Sequence, residues 1–234
     1  MAEKFLDKPR DIDLLSNESQ DVSKWYPAEV LDWHQYDEEG PTWKVDNRGI
    51  VEKDEEGRLS IPRTVGAPIT AMRIMNNFGD AITHWSNELS VPVDIIIGCI
   101  ATETGGKETA RREEPGYTSD AETPHRVSVG LMQTLISTAQ SMCPEDTVTS
   151  EWLEVPYNSI KAGVRYIKEQ FRKTNYDPPL VACAYNAGGL YRQNGEKNRW
   201  KLRQYPIGTG KHADRFCKYY NDSMSIDWND VQNA

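Results

Sequence analysis

A mainly α fold is predicted for this chain by three observations. Apolar residues recur at three- and four-residue steps from residue 69 onward, helix-start and helix-stop residues bracket those stripes, and no strand–helix–strand alternation appears. The first stripe is Ile69, Met72, Met75, Phe78, Ile82, Trp85 and Leu89, the core-facing side of a long helix. Ser90 suits the cap of a second helix over 93–104, with Pro92 and Asp94 at its start and Gly105 and Gly106 closing it. A polar loop over 107–126 leads to a shorter helix around 131–142. Asn158 is placed to cap a helix whose apolar face is Ile160, Val164, Ile167 and Phe171. Asp177 with Pro178 opens another, which stops at Gly188 and Gly189.

Composition divides the chain into an acidic, turn-rich arm over 1–66, the helical domain over 67–222 and a tail over 223–234. The arm carries 16 acidic and 9 basic side chains, interleaved with Trp25, Trp33 and Trp43. Those tryptophans predict a packed, mostly irregular segment with a short hairpin near 43–59, wrapped on the main domain or docked on a partner. Residues 161–218 are the reverse, with 13 basic and 4 acidic side chains. That surplus, which includes Lys161, Arg165, Lys168 and Arg172, either forms a solvated helix face or attracts a polyanion. No nucleic-acid-binding signature accompanies it, so an acidic polysaccharide is favoured over nucleic acid.

A mean hydropathy of −0.70, 27% charged residues and seven Trp in 234 residues describe a globular protein with a core of its own. The longest apolar run, 95–101, is too short to span a bilayer, and the N-terminus lacks the apolar stretch of a secretory signal. Cys99, Cys143, Cys183 and Cys217 are widely spaced, with no close pair of the kind zinc sites use. Neither metal nor cofactor is expected. Buried reduced thiols are expected, with one or two disulfides left open.

Glu103 stands out chemically because it falls in the last turn of the apolar helix VDIIIGCIAT. Apolar surroundings and the negative end of the helix dipole both raise a carboxyl pKa, which makes a proton donor at neutral pH. A general acid for glycosidic cleavage needs that property. Taken alone, a Glu near a helix end is usually a surface residue.

Three further segments follow in order: SVGLMQTLISTA at 128–139, PYNSIKAGVRYI at 156–167 and ACAYNAGG at 182–189. With Glu103 and Thr104 they resemble the lysozyme-like superfamily of soluble lytic transglycosylases and goose-type lysozymes, glycoside hydrolase family 23. That family shows a helix ending in a catalytic Glu, then GLMQ, then N-I-x-x-G-x-x-Y, then AYNAG. Here these are Gly130 to Gln133; Asn158, Ile160, Gly163 and Tyr166, one residue looser at Asn158; and Ala184 to Gly188. The blocks cover about 90–189, the resemblance extends toward 220, and the arm is left uncovered.

The resemblance implies a lysozyme-like fold over 67–222 and cleavage of the β-1,4 bond between N-acetylmuramic acid and N-acetylglucosamine in peptidoglycan. Glu103 would be the acid. Ser128, Gly130, Gln133, Tyr166, Tyr185 and Asn186 would bind substrate, Gly130 by letting a sugar approach the backbone and Gln133 through its amide. A transglycosylase needs only Glu103, whereas an inverting hydrolase needs a second carboxylate. The loop before GLMQ supplies candidates, with Asp120 or Glu122 favoured for the water-activating role and Glu113 and Glu114 as partners for Arg111 and Arg112. Chitin hydrolysis and a non-catalytic glycan-binding scaffold are the alternatives. A monomer is expected, made in the cytoplasm and acting on the cell wall, as a phage endolysin or a virion part docked through its arm.

Overall fold

The computed structural model describes residues 21–226. The first 20 residues of the arm and residues 227–234 of the tail lie outside them.

The described part of the arm opens with a 3-10 turn, Val22–Lys24, capped by the Asp21 side chain, and a short helix α1, Ala28–Leu31. A hairpin follows, β1 Thr42–Asp46 and β2 Gly49–Lys53, with Val45 opposite Ile50, and β3 Leu59–Ser60 adds to β2. Alternation along β1 sends Trp43 and Val45 inward, where both are fully buried. Gly49 has a φ of +116°, and a Cβ on it would lie 2.3 Å from Asn221 Oδ1. Only glycine permits that approach, and it allows Asn221 to accept from the Ile50 amide at 2.7 Å and donate to the Pro62 carbonyl at 2.8 Å.

The helices are α2 Ile69–Leu89 and α3 Val93–Glu103. A small antiparallel sheet comes next: β4 Arg111–Glu113, β5 Val127–Val129 and β6 Thr134–Leu135, with β5 central. Then follow α4 Ile136–Met142, α5 Ser150–Glu154, α6 Pro156–Glu169, α7 Phe171–Thr174, α8 Pro178–Ala187 and α9 Lys211–Met224. The fold is mainly helical, as predicted. No helix among the described residues is long and apolar enough to cross a membrane.

Helix α3 is the central element, buried on every side from Val93 to Thr102, with α2, α8 and α9 packed around it. Gly98 lets α9 close in: a Cβ there would sit 3.5 Å from the Phe216 ring and the Tyr220 backbone. Asp94, buried at the start of α3, accepts from the Ser223 hydroxyl at 2.5 Å, and burial raises its pKa to about 6. One core joins these helices with Trp43, Val45 and Ile50 of the arm; a smaller one lies between β5, α4 and α6. All four cysteines are buried free thiols.

Three details differ from the sequence expectation. The buried stripe of α2 is Ala71, Ile74, Phe78, Ile82 and Trp85, and Ile69 is 66% exposed. Equal hydrophobicity on two adjacent faces at the start of that helix hides the phase. Ser90 adopts a left-handed conformation, φ 52°, at the end of α2 instead of capping α3, which begins after Pro92. Asn158 lies inside the first turn of α6, where it donates to the Trp152 carbonyl at 3.1 Å; Val155 precedes Pro156 at the start.

The arm and the basic region meet. Arg192 pairs with Asp37 at 2.6 Å, Arg199 with Glu52 at 2.6 Å and Lys201 with Glu39 at 3.3 Å. A buried polar clasp adds to them. Asp177, at the start of α8, accepts from Trp43 Nε1 at 2.9 Å and contacts His34 Nε2 at 3.0 Å.

Candidate active site

Glu103 closes α3, with its side chain 16% exposed. Burial pushes its pKa up to about 7, against the positive charges of Arg215 and Arg112, which lower it. A carboxyl raised into this range can hold a proton near neutral pH and give it up.

Both sides of this helix end are fastened. The Thr104 hydroxyl bonds to the Leu131 carbonyl at 2.8 Å and accepts from the Gly106 amide at 3.2 Å. Arg73, reaching over from α2, donates to the Gly105 carbonyl at 2.8 Å. The Glu-Thr pair thus joins an acid to the residue that ties its helix to the GLMQ turn.

That turn is internally bonded. Gln133 has a φ of +49°; its Nε2 donates to the carbonyls of Ala110 at 2.9 Å and Gly130 at 3.0 Å, and its Oε1 accepts from Ser128 Oγ at 3.1 Å. Gly130, with a φ of +81°, is needed for protein packing: a Cβ there would lie 2.1 Å from the Leu153 carbonyl oxygen and 2.7 Å from Ser159 Oγ. The expectation that Gly130 makes room for a sugar is corrected, since that space is filled by α5 and α6. Met132 is buried against Gly163, where a Cβ would be 2.4 Å from its sulfur.

Tyr185, on α8, donates its hydroxyl to the Met132 carbonyl at 2.8 Å and lies 3.2 Å from the Thr134 hydroxyl. Burial raises its pKa strongly, and the charges of Cys99 and Glu103 push the same way, which places those groups in one electrostatic neighbourhood. The Tyr166 ring lies 5.3 Å from the Tyr185 ring. Asn186 faces the loop after α8, its Oδ1 accepting from the Tyr205 amide at 2.5 Å. Of the predicted residues, Tyr185 thus shares the electrostatic neighbourhood of Glu103, Asn186 is engaged with the loop after α8, and the turn of Ser128, Gly130 and Gln133 is tied to the end of α3 through Thr104.

The two loop acids are placed otherwise. Asp120 accepts from Arg111 Nη2 at 2.7 Å and Nη1 at 3.3 Å, from the Tyr117 hydroxyl at 2.8 Å and from the Ser150 hydroxyl. The Arg111 guanidinium holds its carboxyl well below the usual carboxylate range. Glu122 is exposed and accepts from the Thr118 hydroxyl at 2.9 Å. Glu113 pairs with Arg111 at 3.1 Å and Glu114 with Arg112 at 3.0 Å.

One neighbour of Glu103 is absent from the sequence expectation. His212, 4% exposed in the first turn of α9, places Nε2 3.5 Å from Glu103 Oε1. Burial, aided by the charge of Arg215, lowers its pKa to about 3, so it is neutral wherever Glu103 titrates. The signal available in the sequence was the stripe Ala213, Phe216, Cys217 and Tyr220, which marks α9 as a core helix and brings its start to the end of α3.

The model of the family described as the transglycosylase SLT domain matches residues 80–207. Among solved structures the chain is similar to an inactive Glu-to-Gln mutant of the lytic transglycosylase Slt from Pseudomonas aeruginosa, at 16% identity and a TM-score of 0.46, over 65% of this chain and 24% of that one. The chain thus matches about a quarter of the length of that protein. No curated protein matches it. With more than half of its length under the family model, and with Glu103, the GLMQ turn and the AYNAG helix end inside the matched stretch, the chain belongs to the transglycosylase SLT domain family.

Proposed function

We propose that this chain cleaves the β-1,4 bond between N-acetylmuramic acid and N-acetylglucosamine in peptidoglycan, with Glu103 as acid and then base. The observation that carries this reading is the Glu103 carboxyl itself, 16% exposed at the end of a buried helix, with burial raising its pKa to about 7. Glu103 gives its proton to the glycosidic oxygen as the bond to C1 breaks. The resulting carboxylate takes the proton of the muramic acid C6 hydroxyl while that oxygen closes on C1, leaving a 1,6-anhydro ring and a protonated Glu103. One carboxyl group serves both steps.

The loop acids support this route over hydrolysis. A base that activates water needs an available lone pair, and both oxygens of Asp120 already accept two hydrogen bonds each. Its strongly lowered pKa also makes it a poor proton acceptor. We assign Asp120 to holding the loop, and the framework of Ser128, Gly130 and Gln133 to shaping the cleft wall beside Glu103.

Mass spectrometry of products from peptidoglycan sacculi, run beside Glu103→Gln, tests the reading. Anhydro-muropeptides, lighter by one water than hydrolysis products, are expected from the native chain and none from the variant. Reducing-end products, or cleavage of chitooligosaccharides in place of sacculi, would overturn it.

A further inference from the structure

We propose that His212 is a positioning residue for Glu103: its Nε2–H holds the carboxyl by Oε1 and leaves Oε2 as the oxygen that carries and returns the proton. This rests on the reading of Glu103 as the acid, and it concerns a residue beyond the stretch matched by the family model.

The geometry comes first. His212 is 4% exposed, its Nε2 lies 3.5 Å from Oε1, and it is delivered by α9, which packs directly on α3. Catalytic contacts of this length often tighten once the reacting groups are in place. Fixing one oxygen of a carboxyl fixes the plane of the group, and so the direction in which the other oxygen presents its proton.

The surrounding charges decide the proton's location. Arg215 on α9 and Arg112 on β4 act on Glu103, while Cys99 on α3 and Tyr185 on α8 share its electrostatic neighbourhood. From α2, Arg73 is committed to the Gly105 carbonyl; from β2, Glu52 is committed to Arg199. Burial and Arg215 keep His212 neutral down to about pH 3. An ordinary histidine at this distance would compete for the proton of Glu103. This one does not, so the proton stays available to the glycosidic oxygen. With both groups neutral, shortening of this 3.5 Å contact makes it a hydrogen bond to a carbonyl-like oxygen, one that strengthens when proton transfer turns Glu103 into an anion.

The test compares the full chain with His212→Phe, His212→Gln and Glu103→Gln on soluble peptidoglycan fragments across pH. His212→Phe is expected to lower kcat roughly a hundred-fold with KM nearly unchanged. Because the anion loses a donor, the alkaline midpoint should also move upward. His212→Gln, which keeps an N–H donor, should recover about ten-fold of that loss. Nitrogen-15 NMR of the native chain reads the tautomer independently of any variant: a protonated Nε2 that does not titrate between pH 5 and 9 is expected. Native kcat and midpoint in His212→Phe, equal losses in Phe and Gln, or an unprotonated Nε2 would overturn the inference while leaving Glu103 as the acid. Turnover in Glu103→Gln would instead overturn the reading on which it stands.

Discussion

The Thr104 hydroxyl bonds to the Leu131 carbonyl at 2.8 Å, so the residue after the candidate acid anchors the turn that carries Gln133. The helix end that carries Glu103 and the turn that carries Gln133 are one hydrogen-bonded unit, and its tolerance to change follows from which bonds are buried. Thr104→Val keeps the shape and removes the hydroxyl. A loss of about 1 kcal/mol in denaturant unfolding is expected, together with a drop in kcat larger than any change in KM.

Glu103 ties activity and stability to pH in the same sense. Cleavage needs the protonated acid, so the rate should fall as pH rises through about 7. The folded pKa lies above the ordinary value of 4.5, so the stability this group contributes is complete below 4.5 and is lost as pH rises through about 7. Glu103→Gln cannot ionise. Its melting temperature should exceed that of the native chain at pH 8 to 9, by the equivalent of at most about 3 kcal/mol, and the two should converge below pH 4.5.

Asp120 behaves in the opposite direction, because its folded pKa is lowered by Arg111. The stability it provides is present above the usual carboxylate range and is lost as the solution is acidified through its folded pKa. Its side chain is 37% exposed, so solvent screening limits the effect. Asp120→Asn should cost about 1 kcal/mol at neutral pH and leave the anhydro product unchanged. A loss of turnover beyond a hundred-fold with an intact fold would return Asp120 to the reaction.

Trp43 is fully buried, packs 5.4 Å from the Trp200 ring and donates to Asp177. Trp43→Ala should cost about 3 to 5 kcal/mol, since it opens a cavity and takes a partner from a buried carboxylate. Deleting residues 1–60 should abolish the cooperative thermal transition followed by calorimetry.

The helices were largely legible because burial writes a period into the sequence, and Glu103 was legible because an acid at the end of VDIIIGCIAT breaks the apolar run. Short strands are different. β5 and β6 hold three and two residues, too few for a period-two pattern to differ from a helix start, so the region around Leu131 reads as helix in sequence and folds as turn and sheet. The partners of Gln133 and Asp120 were illegible for another reason. Each polar group could satisfy itself from substrate, water or protein, and only the fold decides among them. His212 escaped because its meaning depends on where α9 begins relative to α3, a relation between helices remote in sequence.

The pairs joining Asp37, Glu39 and Glu52 to Arg192, Lys201 and Arg199 give the charge asymmetry of the chain a different meaning. An acidic segment and a basic segment in one sequence suggest two outside partners of opposite sign. Here each is in part the other's counterion. The long-range field that a polyanion would feel is weaker than the basic block alone implies, and added salt should loosen the arm before it weakens any hold on a glycan.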